Sequence, residues 1–212
     1  MKIALIGATG TIGQRILNEA LTRGHKVTAI VRDTSRLTVQ NENLILVQGD
    51  IFDRDGLAKT ITGHDVVISA YGPKFGVDAE QVLVDASKAI VAGVKQAGVG
   101  RLLAVGGAGS LEVAPGVQLV DTPEFPDAWK GIALAHRDAL EVYQNSNLDW
   151  TVLHPAALIE PGERTGTFRL GTTQLVSDDN GNSRISAEDY AVALLDEVEK
   201  PQFIRQRFTV AY

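Results

Sequence analysis

The sequence predicts an α/β protein with a Rossmann-type, doubly wound parallel sheet, helices on both faces and a small C-terminal substrate cap. Three observations carry this. Short apolar runs alternate with helical patterns along the chain. A glycine loop, Gly7-Ala8-Thr9-Gly10-Thr11-Ile12-Gly13, lies between the first apolar run and the first helix. A second strand pattern follows that helix directly, completing the strand, loop, helix, strand order of a dinucleotide-binding unit.

Lys2-Ile3-Ala4-Leu5-Ile6 reads as the first strand, and Ile12, Ile16, Leu17, Ala20 and Leu21 give the helix from Thr11 to Arg23, stopped by Gly24. In such a loop the first glycine permits the turn, the second lets the backbone approach a pyrophosphate, and the third lets the helix pack on the strand. The helix N-terminus then offers unpaired N–H groups and the positive end of its dipole. Gly7, Thr9, Gly10, Thr11 and Ile12 are therefore expected to hold a dinucleotide; the alternative is a tight turn with no ligand.

The second strand, Lys26-Val27-Thr28-Ala29-Ile30-Val31, ends at Arg32-Asp33. An acidic residue at this place holds the ribose hydroxyls of NAD, whereas an arginine pairs with the 2′-phosphate of NADP. Arg32 comes first, with Ser35 and Arg36 nearby, so NADP(H) is the expected nucleotide; NAD stays possible through Asp33. A solvated strand-end arginine is the alternative reading.

Asn43 to Gln48 forms the third strand, and Asp53 caps a short helix over Arg54 to Thr60. Between them, Asp50 is placed to accept from the adenine amino group while Ile51 covers the ring; a turn aspartate bonding its own backbone is the alternative. The apolar run Asp65 to Ala70 suits a parallel strand buried on both faces. It opens into Tyr71-Gly72-Pro73, so Ser69, Ala70, Tyr71 and Gly72 are the expected contacts to ribose and nicotinamide.

A helix from Ala79 to Ala97 ends at Gly98, and Arg101 to Val105 is the fifth strand. The stretch from Gly106 to Pro126 reads as a long loop, the kind that carries function. A helix from about Ala128 to Asn145 and a sixth strand, Leu148 to Leu153, come next. Glycines and prolines then punctuate the chain until Ser186-Ala187-Glu188-Asp189, a capping-box pattern, opens a last helix ending at Lys200-Pro201. Phe208 to Ala211 is expected as an edge strand. One domain spans 1–212, with substrate-cap segments near 107–130 and 155–185.

The chain has 212 residues, 44% hydrophobic and 22% charged, which fits a single folded domain. Its net charge is -6 with scattered basic residues, so no nucleic-acid partner is expected. No apolar run approaches a membrane span, and Met1-Lys2 runs straight into a strand without room for a signal peptide. A cytoplasmic location follows as the expectation. There is no cysteine, and the four histidines are isolated, so neither thiolate chemistry nor a metal site is expected. Nothing in the pattern indicates an oligomeric state.

Gly7-Ala8-Thr9-Gly10-x-x-Gly13, Val31-Arg32-Asp33, Gly49-Asp50-Ile51, His154-Pro155-Ala156 and Ile185-Ser186-x-x-Asp189-Tyr190-Ala191 together resemble the NmrA-like, NAD(P)H-binding branch of the atypical short-chain dehydrogenases. The chain looks most like bacterial NADH-flavin reductases and the biliverdin-IXβ/flavin reductases. Carbonyl-reducing and sugar-epimerising short-chain dehydrogenases use a tyrosine with a lysine four residues on, which lowers the phenol pKa. Here Tyr71 is followed at that spacing by Phe75, Tyr143 by Asn147 and Tyr190 by Leu194, and Tyr212 is the last residue. Where the resemblance would place the pair stand Ile132 and His136.

The resemblance implies an NAD(P)H-dependent reductase passing hydride to a small acceptor, a free flavin or quinone, used as substrate and not tightly bound. His136 falls where the biliverdin-IXβ reductase group also has a histidine and is the candidate to orient or protonate the acceptor; a surface or helix-capping histidine is the alternative. His154 is a second candidate, or a turn-shaping residue. The family's serine falls at Gly107, and Ser110 stands off that position. An NmrA-like sensor that binds NADP and reports to a protein partner is the second functional reading. A sugar-nucleotide epimerase or dehydratase comes third and lacks its dyad.

Overall fold

The computed structural model describes residues 1–73 and 78–212. Five main strands arrive where their apolar runs place them: β1 (Lys2–Ile6), β2 (Lys26–Val31), β3 (Leu44–Gln48), β4 (Val66–Ser69) and β5 (Arg101–Val105). Two short strands follow, β6 (Glu112–Ala114) and β7 (Val117–Gln118), then β8 (Asp149–His154), β9 (Leu158–Glu160), β10 (Arg169–Gly171), β11 (Arg184–Ser186) and β12 (Gln206–Ala211). The helices are α1 (Thr11–Thr22), α2 (Arg54–Ile61), α3 (Ala79–Gln96), α4 (Asp127–Gln144) and α5 (Ala187–Glu199).

Eight strands form one sheet in the order β10-β12-β8-β5-β4-β1-β2-β3, parallel except for β10. The order reverses at β1, which pairs with both β2 and β4, and this reversal opens a crevice beyond their carboxyl ends. Alternation along each strand feeds two cores. Ile3 and Leu5 of β1 pack with Ile16, Leu17 and Leu194 under α1 and α5. Ala4 and Ile6 pack with Leu57, Ile90 and Leu140 under α2, α3 and α4. Burial of both phases is the physical meaning of an unbroken apolar run in a parallel strand.

Local signals set the helix ends. Gly24 and Gly98 take left-handed φ values of 76° and 71° just after α1 and α3. The Asp53 carboxylate accepts from Gly56 N at 3.1 Å, capping α2. Ser186 Oγ accepts from Asp189 N at 2.9 Å, but the box is not reciprocal. The Asp189 carboxylate instead takes Thr165 Oγ1, Gly166 N and Tyr212 Oη, tying the cap segment and the chain end to α5.

Two expectations need correction. The stretch from 106 to 126 is not a bare loop: 3-10 turns at Ala108–Ser110 and Leu119–Asp121 flank the β6–β7 hairpin. Nor is β12 an edge strand, because it lies between β8 and the antiparallel β10, whose three residues carried no readable pattern.

The far end of the sheet is pinned by a buried ion pair. Glu197 Oε1 accepts from Arg101 Nη2 at 2.7 Å and from Phe203 N at 3.0 Å, and Oε2 from Gln202 N at 2.8 Å. Removing one partner of such a pair strands the other charge. Glu197→Ala is therefore expected to cost about 3 kcal/mol or more, read as a lowered urea midpoint; an unchanged midpoint contradicts that role.

Candidate active site

A cleft of about 870 Å³ runs along the carboxyl ends of the strands at the reversal point. It is lined by Gly7, Thr9, Gly10, Thr11, Ile12, Arg32, Ile51, Ala70, Tyr71, Gly72 and His136 among others, so the fold gathers eleven separately expected residues into one cavity. Asp50 and Ser69 are not in that lining. Asp50 Oδ1 accepts from Phe52 N at 3.0 Å, the turn-aspartate alternative, and Ser69 faces a small enclosed space shared with Ser87, His136 and Tyr143.

The three loop glycines differ in what they do. Gly7 has a φ of 83°, and a Cβ there would stand 2.4 Å from Ala70 O, so the ends of β1 and β4 approach only through a glycine. At Gly13 a Cβ would stand 2.1 Å from Gly7 O, which seats α1 against the loop. At Gly10 a Cβ would meet only Gly7 O, at 3.5 Å. The protein leaves space over Gly10, which lines the cleft.

Gly10 is also the N-cap of α1 and supplies no side-chain cap. Gln14 N bonds Gly10 O at 2.9 Å, whereas Thr11, Ile12 and Gly13 N have no acceptor among the described residues. No acidic side chain stands in that first turn. Three free donors and an uncompensated dipole favour an anion.

Arg32 and Arg36 are exposed and are the charged side chains of the lining. Asp33 beside them is committed to its own turn. Its Oδ1 accepts from Ser35 N at 3.0 Å and Ser35 Oγ at 2.6 Å, which holds its carboxyl below the ordinary range. The same bonds occupy Ser35. Burial raises the phenol of Tyr71, between Arg32 and the opposite wall, so it stays protonated.

The other half of the cleft is apolar. Leu119, Phe125, Trp129, Ile132, Ala133 and the 155–159 segment close around it, with Trp129 51% exposed at the mouth. On α4 the spacing 129, 132, 133, 136 is one helical face. That stripe was visible in the sequence, but exposed aromatics carry no polarity signal that separates a ligand wall from a core face.

His136 completes that face, and its ring nitrogens make no hydrogen bond with a described residue. Burial pushes its pKa down to about 4, so at neutral pH it is a neutral imidazole rather than the resident acid its ordinary pKa suggested. Gly107 explains its placement: a Cβ there would be 3.0 Å from His136 Cβ and Cγ, so the glycine makes room for the ring. Ser110 lies off the cleft, buried, with its carbonyl accepting from Arg207 Nη1 at 3.0 Å.

His154 is fully buried, and its Nδ1 lies 2.7 Å from Gly107 O, fixing the turn after β5. Burial likewise pushes it down to about 4. Both imidazoles have depressed folded pKa values, so their stability contribution is intact above the ordinary 6.5 and is lost as pH falls from there toward about 4. Their NMR ring signals are expected to keep neutral shifts down to about pH 5; titration near 6.5 contradicts this burial.

Tyr143, Tyr190 and Tyr212 are engaged elsewhere, through Ser87 Oγ, Leu153 O and Asp189 respectively. No lysine lines the cleft among the described residues. With this geometry in hand, the comparison with known proteins is decisive at one level. The profile of an NAD(P)H-binding family matches residues 7–201. The chain belongs to that family.

Three solved structures are similar over the whole chain. A Burkholderia pseudomallei protein described as exported is 54% identical, with a TM-score of 0.91 and 100% of both chains covered. A Bacteroides thetaiotaomicron protein described as a candidate epimerase is 42% identical, with a TM-score of 0.93 and coverage of 100% of this chain and 96% of that one. A candidate NADH-flavin reductase of Streptococcus pneumoniae is 35% identical, with a TM-score of 0.87 and coverage of 100% and 99%. Among the described residues no helix is long and apolar enough to cross a membrane.

Proposed function

We propose that the chain is an NADPH-dependent reductase that passes hydride to a small planar acceptor, a free flavin or a quinone, without a Tyr–Lys pair. The observation that carries this reading is one continuous cleft with the glycine loop and two arginines at one end and an apolar wall at the other that holds no lysine among the described residues. NADPH bound there supplies a hydride to the acceptor, which takes its balancing proton from water, leaving NADP+ and the two-electron-reduced acceptor.

The chain's own residues bind, align and exclude water. The N–H groups of Thr11, Ile12 and Gly13 receive the pyrophosphate, Arg32 and Arg36 the 2′-phosphate, and Ile51 covers the adenine. Leu119, Phe125, Trp129 and Ile132 hold a planar ring flat against the nicotinamide end, which is the positioning contribution such a transfer needs. A delocalised acceptor spreads the incoming charge, so no activated phenol is required. Neutral His136 donates an N–H to the acceptor and so orients it.

The Streptococcus pneumoniae neighbour supports the acceptor class, and the lack of any tyrosine with a lysine four residues on argues against the epimerase chemistry attached to the Bacteroides neighbour. The absence of cysteine and the use of NADPH fit a cytoplasmic enzyme.

The test is NADPH oxidation followed by absorbance with riboflavin and a small quinone, with NADH in parallel. Turnover well above the uncatalysed rate, faster with NADPH, is expected. His136→Ala is expected to lower kcat about three- to tenfold, with little change in NADPH affinity; an unaltered rate returns His136 to packing.

A further inference from the structure

Beside the cleft lies a second, closed space. It measures about 10 Å³ and is lined by Ser69 of β4, Ser87 of α3 and His136 and Tyr143 of α4, with a largely aliphatic remainder. Ser69, Ser87 and Tyr143 are buried. Two polar side chains, Tyr71 and His136, line this chamber and the cleft alike. The Tyr71 phenol feels Arg32 and Asp50, so the imidazole is the polar group between the chamber and the apolar half of the cleft.

The hydroxyls of the chamber form a one-way chain. Ser87 Oγ lies 3.0 Å from Leu83 O, and a carbonyl only accepts, so the Ser87 proton is committed there. Tyr143 Oη therefore donates to Ser87 Oγ, at 3.1 Å. The phenol oxygen is left to accept, and its other hydroxyl partner is Ser69. With its proton given to Tyr143, Ser69 Oγ turns a lone pair to the chamber.

We infer that the chamber holds one buried water, which donates to Ser69 Oγ and to the bare ring nitrogen of His136, so that Ser69 and Tyr143 act as positioning residues through that ring. This rests on the reductase reading above. A closed space of about 10–15 Å³ admits one water when two to four polar groups line it, and Ser69, Ser87, His136 and Tyr143 supply them. A neutral imidazole has one bare nitrogen and one N–H. Holding the bare nitrogen on the chamber side leaves the N–H for the acceptor.

The ring-nitrogen NMR spectrum of His136, recorded on the full chain loaded with NADP+, is expected to show one tautomer. Ser69→Ala removes the water's acceptor and is expected to give a mixture of two. With NADPH and riboflavin or a small quinone, the same variant is expected to lower kcat about three- to fivefold, the effect of one neutral hydrogen bond, with NADPH affinity unchanged. Tyr143→Phe frees the Ser69 proton and is expected to act in the same direction by a smaller factor. Neither variant is expected to lower kcat further in a His136→Ala background, because both act through that ring.

An unchanged kcat, a loss that persists without His136, or a single tautomer in Ser69→Ala overturns the inference and leaves the reductase reading standing. Reduction of neither acceptor by the unaltered chain overturns both.

Discussion

Gly10→Asp is expected to leave the protein folded while weakening NADPH binding by more than about a hundredfold. A Cβ at position 10 meets only Gly7 O, at 3.5 Å, so the fold accepts a side chain there. Gly10 is the N-cap of α1 with a φ of -80°, open to any residue, and aspartate is among the preferred N-caps. The carboxylate then takes the N–H groups meant for the pyrophosphate and sets a like charge beside it. Two unit charges about 4 Å apart repel by about 4 kcal/mol at the effective dielectric of a protein surface, which leaves the hundredfold figure conservative. A thermal midpoint equal to or above the wild type, with no saturable NADPH binding, is the expected pair of results. Retained affinity overturns the placement of the pyrophosphate. Gly13 supplies the contrast, because there a Cβ collides with backbone at 2.1 Å and the lesion is one of folding.

Arg32→Ala carries the second large effect. A charge-assisted, bidentate bond to a phosphate contributes about 1.5–3 kcal/mol, so NADPH affinity is expected to fall about ten- to a hundredfold. NADH, lacking the 2′-phosphate, should change by less than about threefold. Arg32 is exposed, so the loss belongs to the low-salt limit and shrinks as salt rises. Isothermal titration of both nucleotides against both proteins reads this directly; equal losses mean that the 2′-phosphate is not bound at this position. Arg36 remains in the variant, which is why complete loss is not expected.

The central sheet was legible in the sequence because its strands are buried on both faces and its helices end at glycines that take left-handed φ values, Gly24 and Gly98. The glycine loop between β1 and α1 was legible because spacing and context agree. What stayed hidden depends on long-range contacts. The three-residue β10 covers β12 from a segment about forty residues away, and no local period announces it. The 3-10 turns and hairpin between Gly106 and Pro126 are held by contacts such as Glu112 N to Thr173 O, still more remote in sequence.

At the site, local chemistry competed with function for the same side chains. Asp50 and Ser35 both had a turn within two residues to satisfy, and in the structure their bonds go there. His136 shows the other limit. Its position on α4 was readable, but its pKa is set by what surrounds the ring, and burial pushes it down to about 4. In the proposed reaction it consequently donates a neutral hydrogen bond and not a proton.

The most direct measurement of the central claim is the anaerobic stoichiometry of the reaction. NADPH and riboflavin are mixed with the full chain in the absence of oxygen, and both chromophores are followed together. One reduced flavin formed per NADPH consumed, at a rate that scales with enzyme, is the predicted result. Tight NADPH binding with no reduction of riboflavin or of a small quinone contradicts the account.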